Sequence, residues 1–361
     1  MELVSDGQAE TLPHYREVLV VREARTQDLD GRPFVRRHVE VADESDEDPL
    51  LRADYWQRTD AHESLLSEHP DWEATARQAD GALAIGTENV PARQLYLDES
   101  GRPTQMTAWG AQMKEAIALE GLQRLERGGR FLPGGRLDAR TAELFRYMSD
   151  GIGLRSRQRV YRDLLVSRAS AAEADTLRIA SLGSGAAVPN IEATLAVEAQ
   201  GGRIEWRMFD LDPRALQAAA ELIAEAPIRR STFDLGPAAA EAGVAGFAGR
   251  SYLEIRHAVP DGSLDAVDAL GLWEYLSHRQ AVTFLRVCLR KLKPGAPMIV
   301  SNMLKTRPHL LYNQRAVGWP DLHLRGEEEL LSVAQDAGVD TSRVRITHAA
   351  DGVYAVVDIT A

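Results

Sequence analysis

The sequence predicts an α/β protein: a doubly wound, mostly parallel seven-stranded sheet with a C-terminal antiparallel hairpin, preceded by an α+β N-terminal region. Three observations predict it. From Leu177 onward, short apolar runs alternate with helical segments, an order that forces parallel pairing with helices on both faces. A Gly183-Ser184-Gly185 turn separates the first of these runs from the first helix. The chain then closes on two β-rich runs joined across Asp351-Gly352, a hairpin pattern. Its 361 residues suit about two domains, divided here into 1–150 and 151–361.

The N-terminal part opens with the β-rich segments Val18 to Val21 and Phe34 to Val41, separated by a turn at Asp30-Gly31-Arg32-Pro33. The acidic run Asp43 to Asp48 reads as a solvated loop, and Glu99-Ser100-Gly101-Arg102-Pro103 as a second hairpin turn. Helical patterns follow from about Ala111 to Leu125, from Asp138 to Met148 with Gly151 closing it, and from Leu154 to Ser167.

The alternating part reads as strands at Leu177–Leu182, Ile204–Phe209, Leu264–Leu270 and Met298–Val300, with helices at Asn190–Gln200, Pro213–Glu225, His278–Lys293 and Glu327–Ala337. Ser277 and Gln280 are spaced as a capping box, and Gly338 stands just past a helix end. Val344–Thr347 and Val353–Ile359 form the closing hairpin. The third strand has two candidates, Arg230 to Phe233 and Tyr252 to Ile255.

Composition narrows the function. Net charge is −12, and residues 1–150 carry 18 basic and 29 acidic side chains against 24 and 25 in the remainder. A phosphate backbone or an anionic membrane surface calls for the opposite sign, so neither nucleic acid nor membrane is expected as a partner. No apolar stretch approaches a membrane span, and the acidic opening Met1 to Asp6 is unlike a signal peptide; the expectation is a cytoplasmic protein. The single Cys288 sits in a helix-face pattern and reads as core. Clustered metal ligands are absent from the pattern, so no metal is expected.

In a doubly wound sheet, ligands bind at the carboxyl ends of the strands, where the strand order reverses. Gly183 and Gly185 let the backbone approach a ligand closely at the first such end. At the second, the Asp210 carboxylate can accept both hydroxyl protons of a ribose, while Asp212 reads as the N-cap of the helix that Pro213 opens. Gly271, Trp273 and Tyr275, after the fourth strand, form the facing wall, the two aromatics as substrate contacts. Polar and aromatic groups between the fifth strand and the last helix, among them Asn302, His309, Tyr312, Asn313, Arg315, Trp319 and His323, suit a substrate-facing loop.

On these residues, 154–361 resembles the class I S-adenosylmethionine-dependent methyltransferases. The family's Gly-x-Gly-x-Gly is matched by Gly183, Gly185 and, with alanine, Ala187; its acidic second-strand end by Asp210; its leucine-lysine-proline-glycine turn by Leu292-Lys293-Pro294-Gly295. Two positions depart from it: Ala187 stands where the third glycine is usual, and Ser181 where an acid precedes the first glycine by two residues. A dinucleotide fingerprint fits less well, because Val188 stands where it needs Gly or Ala.

The resemblance implies S-adenosyl-L-methionine as cofactor, with Gly183, Ser184, Gly185, Asp210, Leu211 and Gly271 around it. Asp234 would meet the adenine amino group, with His257 as the alternative, and Arg157 would pair with the cofactor's carboxylate. The expected reaction is methyl transfer to a small molecule in biosynthetic metabolism. His278, His309 and Tyr312 are candidates for proton transfer, and Trp273, Tyr275, Asn313 and Trp319 for the acceptor. Aminocarboxypropyl transfer from the same cofactor, or a catalytically silent binding protein, are the rival readings. The N-terminal region would serve as a substrate lid or an oligomerisation surface, a homodimer being the simplest case.

Overall fold

A computed structural model describes residues 2–10, 18–27, 33–41, 51–58, 105, 109, 118–124, 137, 141, 145, 149–171, 176–237, 248–307, 322–348 and 352–361. The N-terminal part contains a four-stranded antiparallel meander: β1 (Glu2–Glu10), β2 (Val18–Gln27), β3 (Pro33–Val41) and β4 (Leu51–Arg58). The hairpin expected across Asp30 to Pro33 is its centre, with Gln27 opposite Pro33. Its outer strands differ in legibility. Glu2–Glu10 has three apolar residues in nine and no alternation, whereas Leu51, Ala53 and Tyr55 alternate with polar Arg52 and Asp54. The acidic run and the second hairpin turn lie outside the described residues. Of the helix expected from Ala111, α1 (Leu119–Gln123) is described; of the next, Thr141 and Phe145 are helical.

The helix α2 (Ser149–Ala171) corrects the expected stop at Gly151, because it runs through Gly151 and Gly153. These glycines answer to packing. A Cβ at Gly151 would lie 2.2 Å from the Phe145 carbonyl oxygen, and one at Gly153 2.6 Å from Val353 Cβ. Each lets the helix approach its neighbour; neither adopts a chain-reversing conformation.

The second sheet has seven strands: β5 (Thr176–Leu182), β6 (Arg203–Phe209), β7 (Thr232–Asp234), β8 (Ala266–Ala269), β9 (Pro297–Met303), β10 (Val344–His348) and β11 (Tyr354–Thr360). Their order is β10-β11-β9-β8-β5-β6-β7. The strands pair in parallel from β7 to β9, and β11 runs antiparallel between β9 and β10. The third strand is therefore Thr232–Asp234. The rival segment is helical: Ser251 and Glu254 form a reciprocal cap that starts a 3₁₀ turn at Tyr252–Glu254, continued by α5 (Ile255–Ala258).

Side chains alternate between two cores. On one face, Ile179, Trp206, Met208 and Ile299 pack with α2, α3 (Val188–Ala199) and α4 (Pro213–Glu225). On the other, Leu182, Val267, Val300 and Val357 pack with α6 (His278–Lys291) and α7 (Glu327–Asp336). Burial on both faces explains why the strands read as near-continuous apolar runs. The Ser277–Gln280 capping box starts α6. Cys288 is buried within α6, and burial pushes its thiol up, consistent with core packing.

Candidate functional site

The connection from β5 to β6 turns one way along the sheet, and that from β7 to β8 returns past β5, so the loops after β5 and β8 diverge. A cavity of about 410 Å³ lies at these strand ends, within the roughly 300–1,000 Å³ of small-molecule sites. Its first wall is the turn after β5. Gly183 (φ +67°), Gly185 (φ +55°) and Ala187 (φ +58°) alternate in the left-handed region. The alanine is tolerated there at about 1–2 kcal/mol relative to glycine. The turn is tied to the end of β6 by N–H groups of Gly183 and Ser184 that donate to the Phe209 carbonyl, at 2.7 and 3.2 Å.

Asp210 follows directly and is 5% exposed. Its Oδ2 accepts from Gly185 N–H (2.7 Å) and its Oδ1 from Asp212 N–H (2.9 Å). Burial raises its pKa, helped by the Asp212 charge and opposed by backbone hydrogen bonds from Asp212, Gly185 and Leu211. Asp212 is the expected N-cap of α4, accepting from Arg214 N–H at 3.0 Å behind Pro213. Leu211 between them is 66% exposed on the cavity wall. Leu270, Gly271, Leu272 and Tyr275 form the opposite wall, and Leu119 and Gln123 of α1 join from the N-terminal side.

The floor is polar. Asp268 on β8 stands on the same rung as Ser181 on β5. Asp268 Oδ1 accepts from Ser181 Oγ (2.7 Å), and Oδ2 from the Tyr161 hydroxyl (2.7 Å) and Asn190 Nδ2 (3.3 Å). Burial pushes its carboxyl up to about 7, against those three bonds. Arg157, one turn before Tyr161 on α2, is 2% exposed and lines the cavity. Its Nη1 donates to the Leu270 carbonyl (2.6 Å) and Ser301 Oγ (3.2 Å), and its Nε has no partner. The buried Ser184 hydroxyl, also on the cavity, likewise has none.

The cavity thus gathers Gly183, Ser184, Gly185, Asp210, Leu211, Gly271, Arg157 and Tyr275 of the expected residues. It does not gather six others among the described residues. Asp234 is exposed, bound to Gly236 N–H (2.9 Å) and Arg250 (3.4 Å), at the short edge strand. His257, its alternative, is exposed on α5. Trp273 is fully buried in the core against Arg325, its ring filling space under α6 instead of facing a substrate. His278 is on the surface at the start of α6, where Nε2 meets Asp336 Oδ2 at 2.7 Å. His309, Tyr312, Asn313, Arg315 and Trp319 lie outside the described residues. Asn302 is buried in β9 against Arg325, and His323 is exposed.

Sequence reasoning missed Asp268, Ser181 as its partner, Asn190, Leu119 and Gln123. A signal existed for the first: Asp268 interrupts an apolar strand core, where an unpaired acid is costly.

The sheet, with its last strand inserted antiparallel beside β9, has the topology of the class I S-adenosylmethionine-dependent methyltransferases. Among solved structures, a protein from Bordetella parapertussis described as a possible exported protein is similar in fold: 18% identity over 81% of this chain and 95% of that one, TM-score 0.51. The S-adenosylmethionine-dependent methyltransferase SibL, in its apo form, gives 19% identity over 70% of this chain and 69% of that one, TM-score 0.40. Magnesium protoporphyrin IX methyltransferase (ChlM) from Synechocystis PCC 6803, with bound SAH, gives 11% over 71% and 99%, TM-score 0.43. No protein-family model and no curated protein sequence matches the chain.

Proposed function

We propose that this protein transfers a methyl group from S-adenosylmethionine to a small-molecule acceptor. Asp210 carries the reading. A carboxylate offers about four lone-pair sites, and the N–H groups of Gly185 and Asp212 use one on each oxygen. The backbone N–H of Leu211 also acts on this carboxylate, and the acceptor capacity left over is what the hydroxyls of a ribose would use. Left-handed glycines beside it, an exposed Leu211 for an adenine face and an orphaned Ser184 hydroxyl fit an adenosine cofactor.

When bound, the cofactor supplies an electrophilic methyl on a sulfonium. The chain's own part is alignment and exclusion of water. Asp210 holds the ribose, Leu270 to Leu272 flank the cofactor, and Tyr275, Leu119 and Gln123 face the acceptor. His278 is held by Asp336 away from the cavity and takes no part. Among the described residues no helix is long and apolar enough to cross a membrane.

Calorimetry tests the cofactor: S-adenosylhomocysteine should bind one to one and raise the melting temperature, and NAD should do neither. Binding of NAD alone would overturn the reading. Turnover of labelled cofactor with a metabolite extract should release S-adenosylhomocysteine; methylthioadenosine would mean aminocarboxypropyl transfer, and no turnover a silent binding protein.

A further inference from the structure

Asp268 is a buried carboxylate whose every partner is neutral. It is 2% exposed, on the cavity floor, and receives hydrogen bonds from the hydroxyls of Ser181 and Tyr161 and the amide of Asn190. Among the described residues no Arg, Lys or His is paired with it. The donors come from three elements, α2, β5 and α3, and converge on both oxygens, an arrangement that favours the ionised form. Burial and Asp268 itself hold the Tyr161 phenol protonated, so it stays a donor. A buried anion without a counter-charge costs several kcal/mol. A carboxylate with both oxygens aimed at by neutral donors, at the wall of a ligand cavity and with no counter-charge of its own, is completed by a positive charge that arrives with the ligand.

Its position identifies which one. The family resemblance expects an acid on the first strand at position 181, which is Ser181 here; Asp268 lies across one rung on β8, hydrogen-bonded to that serine. The carboxylate has moved one strand sideways. Arg157, with its unpartnered Nε, lines the same cavity one helical turn from Tyr161, so the cavity presents one buried anion and one buried cation. That is the complement of an α-amino acid zwitterion. We infer that Asp268 binds the α-ammonium group of the cofactor's amino-acid arm, held in place by Ser181, Tyr161 and Asn190, and so decides between ligands that carry this arm and ligands that end at the thioether. The inference rests on the S-adenosylmethionine reading above.

The test is calorimetry on the full chain with three probes. S-adenosylhomocysteine has ammonium and carboxylate, its decarboxylated analogue has the ammonium alone, and methylthioadenosine has neither. The unaltered protein should bind the decarboxylated analogue at least about tenfold more tightly than methylthioadenosine, as one charged hydrogen bond allows. Asp268→Asn, which keeps the side-chain shape, should weaken both ammonium-bearing probes by about tenfold or more and change methylthioadenosine less than twofold. Equal affinity of the unaltered protein for the decarboxylated analogue and methylthioadenosine would overturn the assignment without any variant. So would an Asp268→Asn loss shared equally by all three probes, or no loss. Failure of all three to bind the unaltered protein would instead remove the cofactor reading, and this inference with it.

Discussion

Two buried aspartates border the same cavity, and they are held in opposite ways. Asp210 is bound by backbone N–H groups of Gly185 and Asp212, one of them two residues away, in turns whose glycines and proline announce them. Asp268 is bound by side chains 107, 87 and 78 residues distant in sequence. Both have raised pKa values because burial outweighs the hydrogen bonds. The difference teaches that a carboxylate at a strand tip can be assigned from local pattern, whereas one inside a strand takes its meaning from what other elements bring to it.

The comparison breaks first at Asp210. Asp210→Ala should weaken S-adenosylhomocysteine by more than about tenfold, since hydrogen bonds to a charged group contribute about 1.5–3 kcal/mol each. Calorimetry showing unchanged affinity would refute the ribose role.

Asp268 should instead mark the ligand-free protein's pH dependence. Its folded pKa, near 7, lies above the unfolded value, so its contribution to stability is present below about pH 4 and is lost as pH rises through 7. Glu274, buried and also pushed up to about 7 by burial, acts in the same direction. Asp268→Asn should therefore flatten the fall in stability between pH 5 and 8 by at most about 3 kcal/mol, at about 1.4 kcal/mol per pK unit over the two units from pH 5 to 7. Denaturant melts across that range check it; parallel curves for parent and variant would mean that Asp268 does not titrate there.

The two uses of glycine give a smaller contrast. Gly153→Ala should destabilise by about 1–3 kcal/mol, because its Cβ meets Val353 Cβ at 2.6 Å, just before β11, and helix and chain must move apart. Gly201→Ala meets nothing within 4 Å, and its cost of about 1 kcal/mol comes from φ +88° alone. Thermal melts that rank the pair the other way would place conformation above packing.

The smallest effect belongs to Asp212. Its replacement by Ala removes the N-cap of α4 at about 1 kcal/mol of stability. Affinity for S-adenosylhomocysteine should stay within about twofold, because the backbone N–H that Asp212 gives to Asp210 survives the substitution. An affinity loss larger than that of Asp210→Ala would exchange the roles of the two acids.

The sequence by itself determined the alternating strands and helices from Leu177, the Gly183–Gly185 turn, the Asp210 tip, the Asp212 cap, the Ser277 capping box and the closing hairpin. These are local quantities: side-chain period, left-handed turns and end caps act over a few residues. Only the tertiary structure decided that Gly151 and Gly153 lie within a helix, because the atoms they make room for belong to Phe145 and Val353. The choice of Thr232–Asp234 as third strand was likewise tertiary, since a three-residue strand with one half-buried side chain carries little pattern and is defined by pairing with β6. Trp273 and His278 left the site for the same kind of reason: which way an aromatic or a histidine faces depends on Arg325 and Asp336, 52 and 58 residues further along the chain. The Asp268 cluster is the extreme case, for its four side chains come from four separate elements and become one polar floor only when the sheet and helices pack.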